Sequence, residues 1–442
     1  MNFTEHWLST VPKKWSVKPL RAVASLNISS VDKIPADDEF PVRLANYTDV
    51  YKHEFISSDM ELMQATATAN EIERFRLHRD DVVITKDSET WDDIGIPALV
   101  VNSADDLVCG YHLAILRSDK SKLDGRFLFR CLQSKDIRIQ LELAADGVTR
   151  FGIPKDAIGK LQLPIPPLAE QRAIAKYLDQ ETGRLDALVA AKEHWLELLA
   201  EKRRALITRA VTRGLNPAAL LRDSGFPWLG QVPKHWRVER SKWLFKERDE
   251  RSTTGEEVLL SLRMEVGLVR HNDVSEKLTR SEELIGYKKT SPGEIVVNRM
   301  RASSGLVSIT PEEGLVSPDY AVFQASPEAD QKYFVHLFKT ELLQALFRSE
   351  STGLGTGESG FLRLYSESFL AFWFPLPPLA EQRAIVAHIA TATAKLDGLR
   401  VAAERTITLL KERRAALIAA AVTGKLELGR SGLKPKEDLI TV

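Results

Sequence analysis

The stretch from Pro166 to Thr212 occurs twice in the chain, and this repetition constrains the fold more than any other feature. Pro167-Leu168-Ala169-Glu170-Gln171-Arg172-Ala173-Ile174 returns unchanged as Pro378-Leu379-Ala380-Glu381-Gln382-Arg383-Ala384-Ile385. The offset is 377 − 166 = 211 at the start and 423 − 212 = 211 at the closing threonines. A repeat without insertion over about twelve helical turns is a rigid element whose length matters. Inside the two copies the only glycines are Gly183 and Gly398, and there is no proline. Apolar residues recur at seven-residue steps: Leu178, Leu185, Leu199 and Leu206 in one copy, Ile389, Leu396, Leu410 and Leu417 in the other. Leu188, Val189, Trp195, Leu196, Leu399 and Ile407 extend the stripes, and Lys192 interrupts one of them. The pattern predicts two long helices with a coiled-coil-like seam. Tandem prolines precede each first turn, where a missing N–H costs nothing. Glu170 and Glu381 favour the dipole there, and Gly214 and Gly424 are stop signals.

At 442 residues the chain is too long for one ordinary core and suits two domains with connectors. Lys+Arg and Asp+Glu are equal at 61 each, so a nucleic-acid face has to come from local clustering. Cys109 and Cys131 stand far apart without CxxC spacing and are expected to be reduced and buried in a cytoplasmic protein. The beginning, MNFTEHWLST, lacks the basic start and apolar core of a signal peptide. No apolar run reaches the roughly 18 residues of a membrane span, so no membrane partner is expected.

A second repeat opens each half. Trp7-Leu8-Ser9-Thr10-Val11-Pro12-Lys13-Lys14-Trp15 is echoed by Trp228-Leu229-Gly230-Gln231-Val232-Pro233-Lys234-His235-Trp236, at an offset of 228 − 7 = 221. The fall from 221 to 211 places 10 extra residues in the first half, between fixed ends. Two versions of one domain with different loops have this signature. Weaker echoes agree. Pro41-Val42-Arg43-Leu44 resembles Ser261-Leu262-Arg263-Met264, and the strand-like run Asp81 to Lys86 resembles Glu294 to Arg299. Leu107 to Leu116 and Leu315 to Phe323 each read as a further strand, and amphipathic helices are expected over Arg126 to Gln140 and Lys332 to Arg348. Glycine loops come next, at Asp146 to Gly152 and Thr352 to Gly360.

The expected organisation is α+β: a mixed α/β domain over residues 1–165, a long helix over 166–215, a second α/β domain over 216–376, a second helix over 377–425, and a loose tail over 426–442. If the stripes pair, the second helix runs back along the first. The result is an antiparallel pair with a pseudo-twofold internal repeat and a spacer of roughly 66 Å. The alternative is that each helix packs only on its own domain. Two related heads at a fixed distance suit a periodic ligand, and duplex DNA with two half-sites is the natural candidate.

Two copies of PLPPLAEQRAI opening a long helix, each after an α/β domain that begins W-x-x-x-VP-x-x-W, closely resemble the specificity subunit of type I restriction–modification enzymes. The resemblance covers nearly the whole chain. It implies two target-recognition domains, each reading one part of a split DNA sequence. It also implies two methylation subunits that use S-adenosylmethionine, and restriction subunits that hydrolyse ATP with Mg and cut. No cofactor is then expected in this chain itself.

A self-contained methyltransferase or nuclease is the competing reading, and a scaffold without DNA is a third. The candidate prolines Pro166-Pro167 and Pro377-Pro378 are followed by leucine, not by the aromatic residue of an adenine methyltransferase motif. Gly353-Leu354-Gly355-Thr356-Gly357 lacks the strand-turn-helix setting of a cofactor loop, GxxxxGK[ST] is absent, and the nine histidines show no paired metal spacing. Glu276-Lys277 reads as a solvated surface pair. Arg and Lys carry both phosphate contact and guanine readout. The candidate DNA contacts are Arg43, Lys86, Arg150, Arg263, Arg299 and Arg301. Asn46, Tyr47 and Thr48 add base-edge contacts or form a turn. Trp15 and Trp236 read as core anchors.

Overall fold

A computed structural model of the chain describes residues 11–276, 279–354, 361–429 and 432–435. The Trp7-to-Thr10 part of the first opening, Lys277, the Gly355-Thr356-Gly357 part of the glycine loop and residues 436–442 lie outside the described residues. The chain forms two compact units. The second is the continuous segment His194–Ala403. The first joins two separate segments, Met1–Glu193 and Glu404–Val442.

The first unit is centred on a five-stranded sheet in the order Ala24–Ile28, Leu113–Ser118, Val82–Thr85, Pro97–Val100, Phe55–Ile56. Its middle strands are antiparallel, with Leu113 opposite Thr85 and Leu116 opposite Val82. Alternate residues go to opposite faces. Val82, Ile84, Ala114 and Leu116 join one core with the helices, and Val83, Leu113 and Ile115 join another beneath a three-stranded sheet of Met63–Ala67, Phe40–Ala45 and Leu107–Cys109. The second unit repeats the plan with four strands: Phe245–Arg248, Tyr320–Ala325, Ile295–Asn298, Val307–Ile309. Val297, Ala321 and Phe323 face one core, and Val296 and Val322 face the other. The paired echoes of the sequence therefore occupy equivalent strands.

Three expectations need correction. Leu107 to Leu116 is two strands, because the backbone turns at Gly110-Tyr111-His112, where His112 has φ 70°. Leu315 to Phe323 splits likewise at Ser317-Pro318-Asp319, into Gly314–Val316 and Tyr320–Ala325. The single helices are pairs: Gly125–Gln133 with Lys135–Glu142, and Gln331–Phe338 with Glu341–Ser349. Extended Ser134 and Thr340 break them, and the Thr340 hydroxyl accepts from the Leu343 N–H as an N-cap. The tail is not wholly loose. Leu426–Gly429 pairs antiparallel with Gly432–Pro435, and Leu426 packs on the first core.

The long helices run Leu168–Arg213 and Leu379–Val422. Their seam alternates steps of four and three: Leu178, Thr182, Leu185, Val189, Lys192, Leu196, Leu199, Arg203. Leu188 and Leu399 are not part of it; they are exposed, at 45% and 44%. In each unit the helices are antiparallel. In the first unit, Ile174, Ala175 and Leu178 share a core with Ile418, Ala421 and Val422. In the second, Ile385 and Ile389 share one with Ala210 and Val211. The Arg414 guanidinium lies 2.8 Å from Asp186 in the first unit, and Arg203 lies 2.6 Å from Asp397 in the second.

The shared motif acts as a latch. Gln171 is fully buried: its Oε1 accepts from the Asp124 N–H at 2.8 Å, and its Nε2 donates to the carbonyls of Pro166 and Lys122. Gln382 makes the same three bonds to Asp330, Pro377 and Glu328. Asp124 and Asp330 in turn cap the helices that begin just after them. Antiparallel pairing of Ser16–Pro19 with Gln162–Ile165, and of Arg237–Arg240 with Trp373–Leu376, brings the two ends of each domain together. Trp15 and Trp236 are buried anchors, as expected. Gly424 (φ 75°) packs on Pro12 and Trp15, and Gly214 (φ 73°) on Trp236; a Cβ at Gly424 would strike the Pro12 ring.

Candidate nucleic-acid interface

The strand Val82–Thr85 delivers Lys86 to the end of the first unit's central sheet, but the charge is engaged. Lys86 Nζ lies 2.9 Å from Asp87 Oδ1, and the other oxygen of Asp87 lies 2.6 Å from His112 Nδ1. Arg43 is tied more firmly. Its Nε and Nη2 donate to Asp106 at 2.7 and 2.8 Å, and its Nη1 donates to the Ser58 carbonyl. The Arg43 bond holds the Asp106 carboxyl below the usual carboxylate range. Arg150 differs. It is exposed in the turn between the short strands Asp146–Gly147 and Phe151–Gly152, and its side chain has no hydrogen-bond or ion-pair partner among the described residues. With Tyr47, Tyr51, Ser88, Glu89 and Asp93 it lines a cleft of about 560 Å³. Tyr47 and Tyr51 stack with centroids 5.7 Å apart, and the Tyr51 hydroxyl donates to Asp93 at 2.5 Å. Asn46 has a structural role at a helix start. It caps the helix Tyr47–Lys52, in a capping box with Asp49, and is itself buried.

In the second unit, Asn298 ends the strand Ile295–Asn298 and its Oδ1 accepts the N–H groups of Met300 and Arg301. Arg299 turns back onto the protein, donating from Nε to the Asp319 carbonyl at 2.8 Å and from Nη2 to the Pro318 carbonyl at 3.0 Å. Burial, and then the nearby Arg363, lower its pKa. Arg363 also pairs with the Asp319 carboxylate at 3.1 Å. Arg263, the last residue of Leu260–Arg263, and Arg301 are exposed, and neither side chain has a hydrogen-bond or ion-pair partner among the described residues. Both charges act on the Tyr320 hydroxyl, whose pKa burial raises.

Of the six cations singled out in the sequence, three are committed to internal partners and three have no side-chain hydrogen-bond or ion-pair partner among the described residues: Arg150 in the first unit, Arg263 and Arg301 in the second. Tyr47 and Tyr51 as a stacked pair, Asp93, Tyr320 and Arg363 were not foreseen. Tyr320 stands opposite Asn298 in the sheet, a neighbourhood set by strand register and not by spacing along the chain. Among the described residues no group of three or more His, Cys, Asp or Glu side chains could hold a metal ion. Both cysteines are buried, and burial raises both thiol pKa values. No helix among the described residues is long and apolar enough to cross a membrane.

Residues 12–197 and 269–399 match the family described as the type I restriction modification DNA specificity domain. The chain belongs to that family. It is 22% identical to a putative type I restriction enzyme MjaX specificity subunit of Methanocaldococcus jannaschii, over 88% of this chain and 89% of that protein. It is 21% identical to the type I restriction enzyme EcoKI specificity subunit of Escherichia coli, over 94% of this chain and 90% of that one. This specificity-domain protein also shares its fold with the HsdS subunit from Thermoanaerobacter tengcongensis, with a TM-score of 0.55 at 16% identity over 94% of this chain and 98% of that one. A structure solved for complex assembly and conformational transition of the type I R-M system gives a TM-score of 0.66 at 16% identity, over 93% of this chain and 98% of that one.

Proposed function

We propose that the chain is the sequence-reading subunit of a type I restriction–modification complex. Each α/β domain reads one half of a bipartite DNA site, and the two long helices set the unread gap and seat two methylation subunits. S-adenosylmethionine, ATP and Mg belong to the partner subunits, as does the chemistry of methyl transfer and cutting. The observation that carries this reading is the duplicated module. In each domain the same buried glutamine ties the start of the long helix to the turn before a domain helix, and each domain carries exposed arginine without a side-chain partner among the described residues: Arg150 in one, Arg263 and Arg301 in the other. Free guanidinium groups on loops held by a sheet suit phosphate and base-edge contact.

The test is to express the chain with the methylation subunit encoded beside it in a methylation-free host and to sequence the methylated adenines. A split motif is expected with both chains and none with either alone. Exchange of residues 16–165 for the equivalent domain of a relative should rewrite one half of the motif. Methyl transfer by the isolated chain, or absence of any motif with its partner present, overturns the reading.

A further inference from the structure

The second unit carries two exposed arginines that its own fold leaves without a side-chain hydrogen-bond or ion-pair partner among the described residues. Arg43 lies inside the strand Phe40–Ala45 and is locked to Asp106, while Arg263 ends the strand Leu260–Arg263, exposed and without a side-chain hydrogen-bond or ion-pair partner among the described residues. Past the ends of the equivalent strands Val82–Thr85 and Ile295–Asn298, Lys86 is paired with Asp87 and its counterpart Arg299 with the carbonyls of Pro318 and Asp319, while Arg301, two residues further on, has no side-chain hydrogen-bond or ion-pair partner among the described residues. The backbone that carries Arg301 is fixed. Its N–H donates to Asn298 Oδ1 at 3.2 Å and to the Asn298 carbonyl at 3.0 Å, and its carbonyl accepts from Ser304 and Leu306. The Asp319 carboxylate is already taken by Arg363, and the neighbouring carbonyls by Arg299. Four guanidinium groups thus lie around Tyr320 and the Pro318-Asp319 turn, with Asp319, Glu247 and Asp249 as nearby carboxylates, and Arg263 and Arg301 keep no side-chain partner among the described residues.

We propose that Arg263 and Arg301 read guanine in the major groove of the half-site bound by the second unit, each guanidinium donating both bonds of its fork to O6 and N7. This rests on the recognition function proposed above. Guanine is favoured over phosphate because each arginine stands on an anchored backbone beside a half-buried tyrosine. A planar fork carried on a fixed backbone matches O6 and N7 bidentately, whereas a phosphate takes a cation from many directions. Both arginines lie in the second unit, so the two guanines they read fall in the same half of the motif.

The experiment uses the complex of this chain with its methylation subunit, in cells and purified. The wild-type motif is read from methylated adenines, and then the motifs of Arg263→Gln and Arg301→Gln. The proposal expects each variant to lose discrimination by about tenfold or more at a guanine position, with both guanines in the same half and the other half unchanged. Arg301→Lys, which keeps the charge and loses the fork, should relax the same position. Equal weakening on all sequences with a shallower salt dependence, together with rescue by Lys, would mean phosphate contact and would overturn the proposal. So would unchanged motifs, or a wild-type motif without guanine in either half. Failure of the wider reading looks different, because the wild-type complex would then give no bipartite motif at all.

Discussion

Arg414 lies 2.8 Å from Asp186, and the identical pair stands as Arg203 and Asp397 at 2.6 Å, displaced by 211 residues at both members. The environments differ. The Arg414 side chain is 17% exposed and also holds Glu54 at 2.7 Å, whereas Arg203 is 40% exposed. Arg414→Ala should cost about 1–3 kcal/mol, since it strips two carboxylates of a half-buried partner. Arg203→Ala should cost less, about 0.2–1 kcal/mol. Urea unfolding of the two variants checks the order; equal costs would mean that the Glu54 contact adds nothing.

The buried glutamines should be the most sensitive polar positions in the chain. Gln171→Leu or Gln382→Leu leaves one N–H and two carbonyls unpaired in the interior, at about 2–4 kcal/mol. Thermal unfolding measures it. The methylated motif of any variant that still assembles should be unchanged, because neither residue is free to meet DNA.

His336 sets an acid limit on the second unit. Burial, then Lys339 and Arg203, push its pKa below the ordinary 6.5, and Asp330 offsets part of this. As the pH falls through 6.5 the unfolded chain takes up a proton that the folded chain refuses, so stability drops on the acid side and is flat above. His336→Gln should remove that part of the slope in unfolding measured between pH 7.5 and about 5.5. An identical slope in the variant would assign the acid sensitivity to other groups.

The helices, their caps and their seam were legible in the sequence because they depend on local spacing: Pro167 before the first turn, Gly214 and Gly424 after the last, leucines at seven-residue steps. Leu188 and Leu399 were misread because a stripe two residues wider still looks periodic. The strand breaks at His112 and at Ser317 to Asp319 were hidden inside continuous apolar runs, which do not show where a chain crosses from one sheet to another. The interface was half legible. A cation is visible in the sequence, but whether it is free depends on distant partners: Asp106 for Arg43, or the carbonyls of Pro318 and Asp319 for Arg299.

The helices should act as a ruler in whole heptads. Seven residues inserted in each, between Leu188 and Glu201 and between Leu399 and Glu412, preserve the four-three alternation and add about 10 Å. The unread gap should grow by about three base pairs at 3.4 Å each. The methylated motif is the readout. A variant that methylates at the original gap would show that something else fixes the distance. Insertion in one helix only should abolish assembly, since the seam loses register.

Ile418, Ala421 and Val422 complete a core whose other members include Trp15, Ile174 and Leu178. On the ribosome these pieces are made far apart in time. Leu178 and Ile418 are 418 − 178 = 240 residues apart, or about 10–50 s of translation. The second unit is one unbroken segment and can close as soon as it emerges. The half that is synthesised first is therefore the last to be sealed, and its apolar floor stays open while the other half folds beside it. A message cut short before codon 418 would leave a sound second unit and an unsealed first one, a species for chaperones and proteases to find.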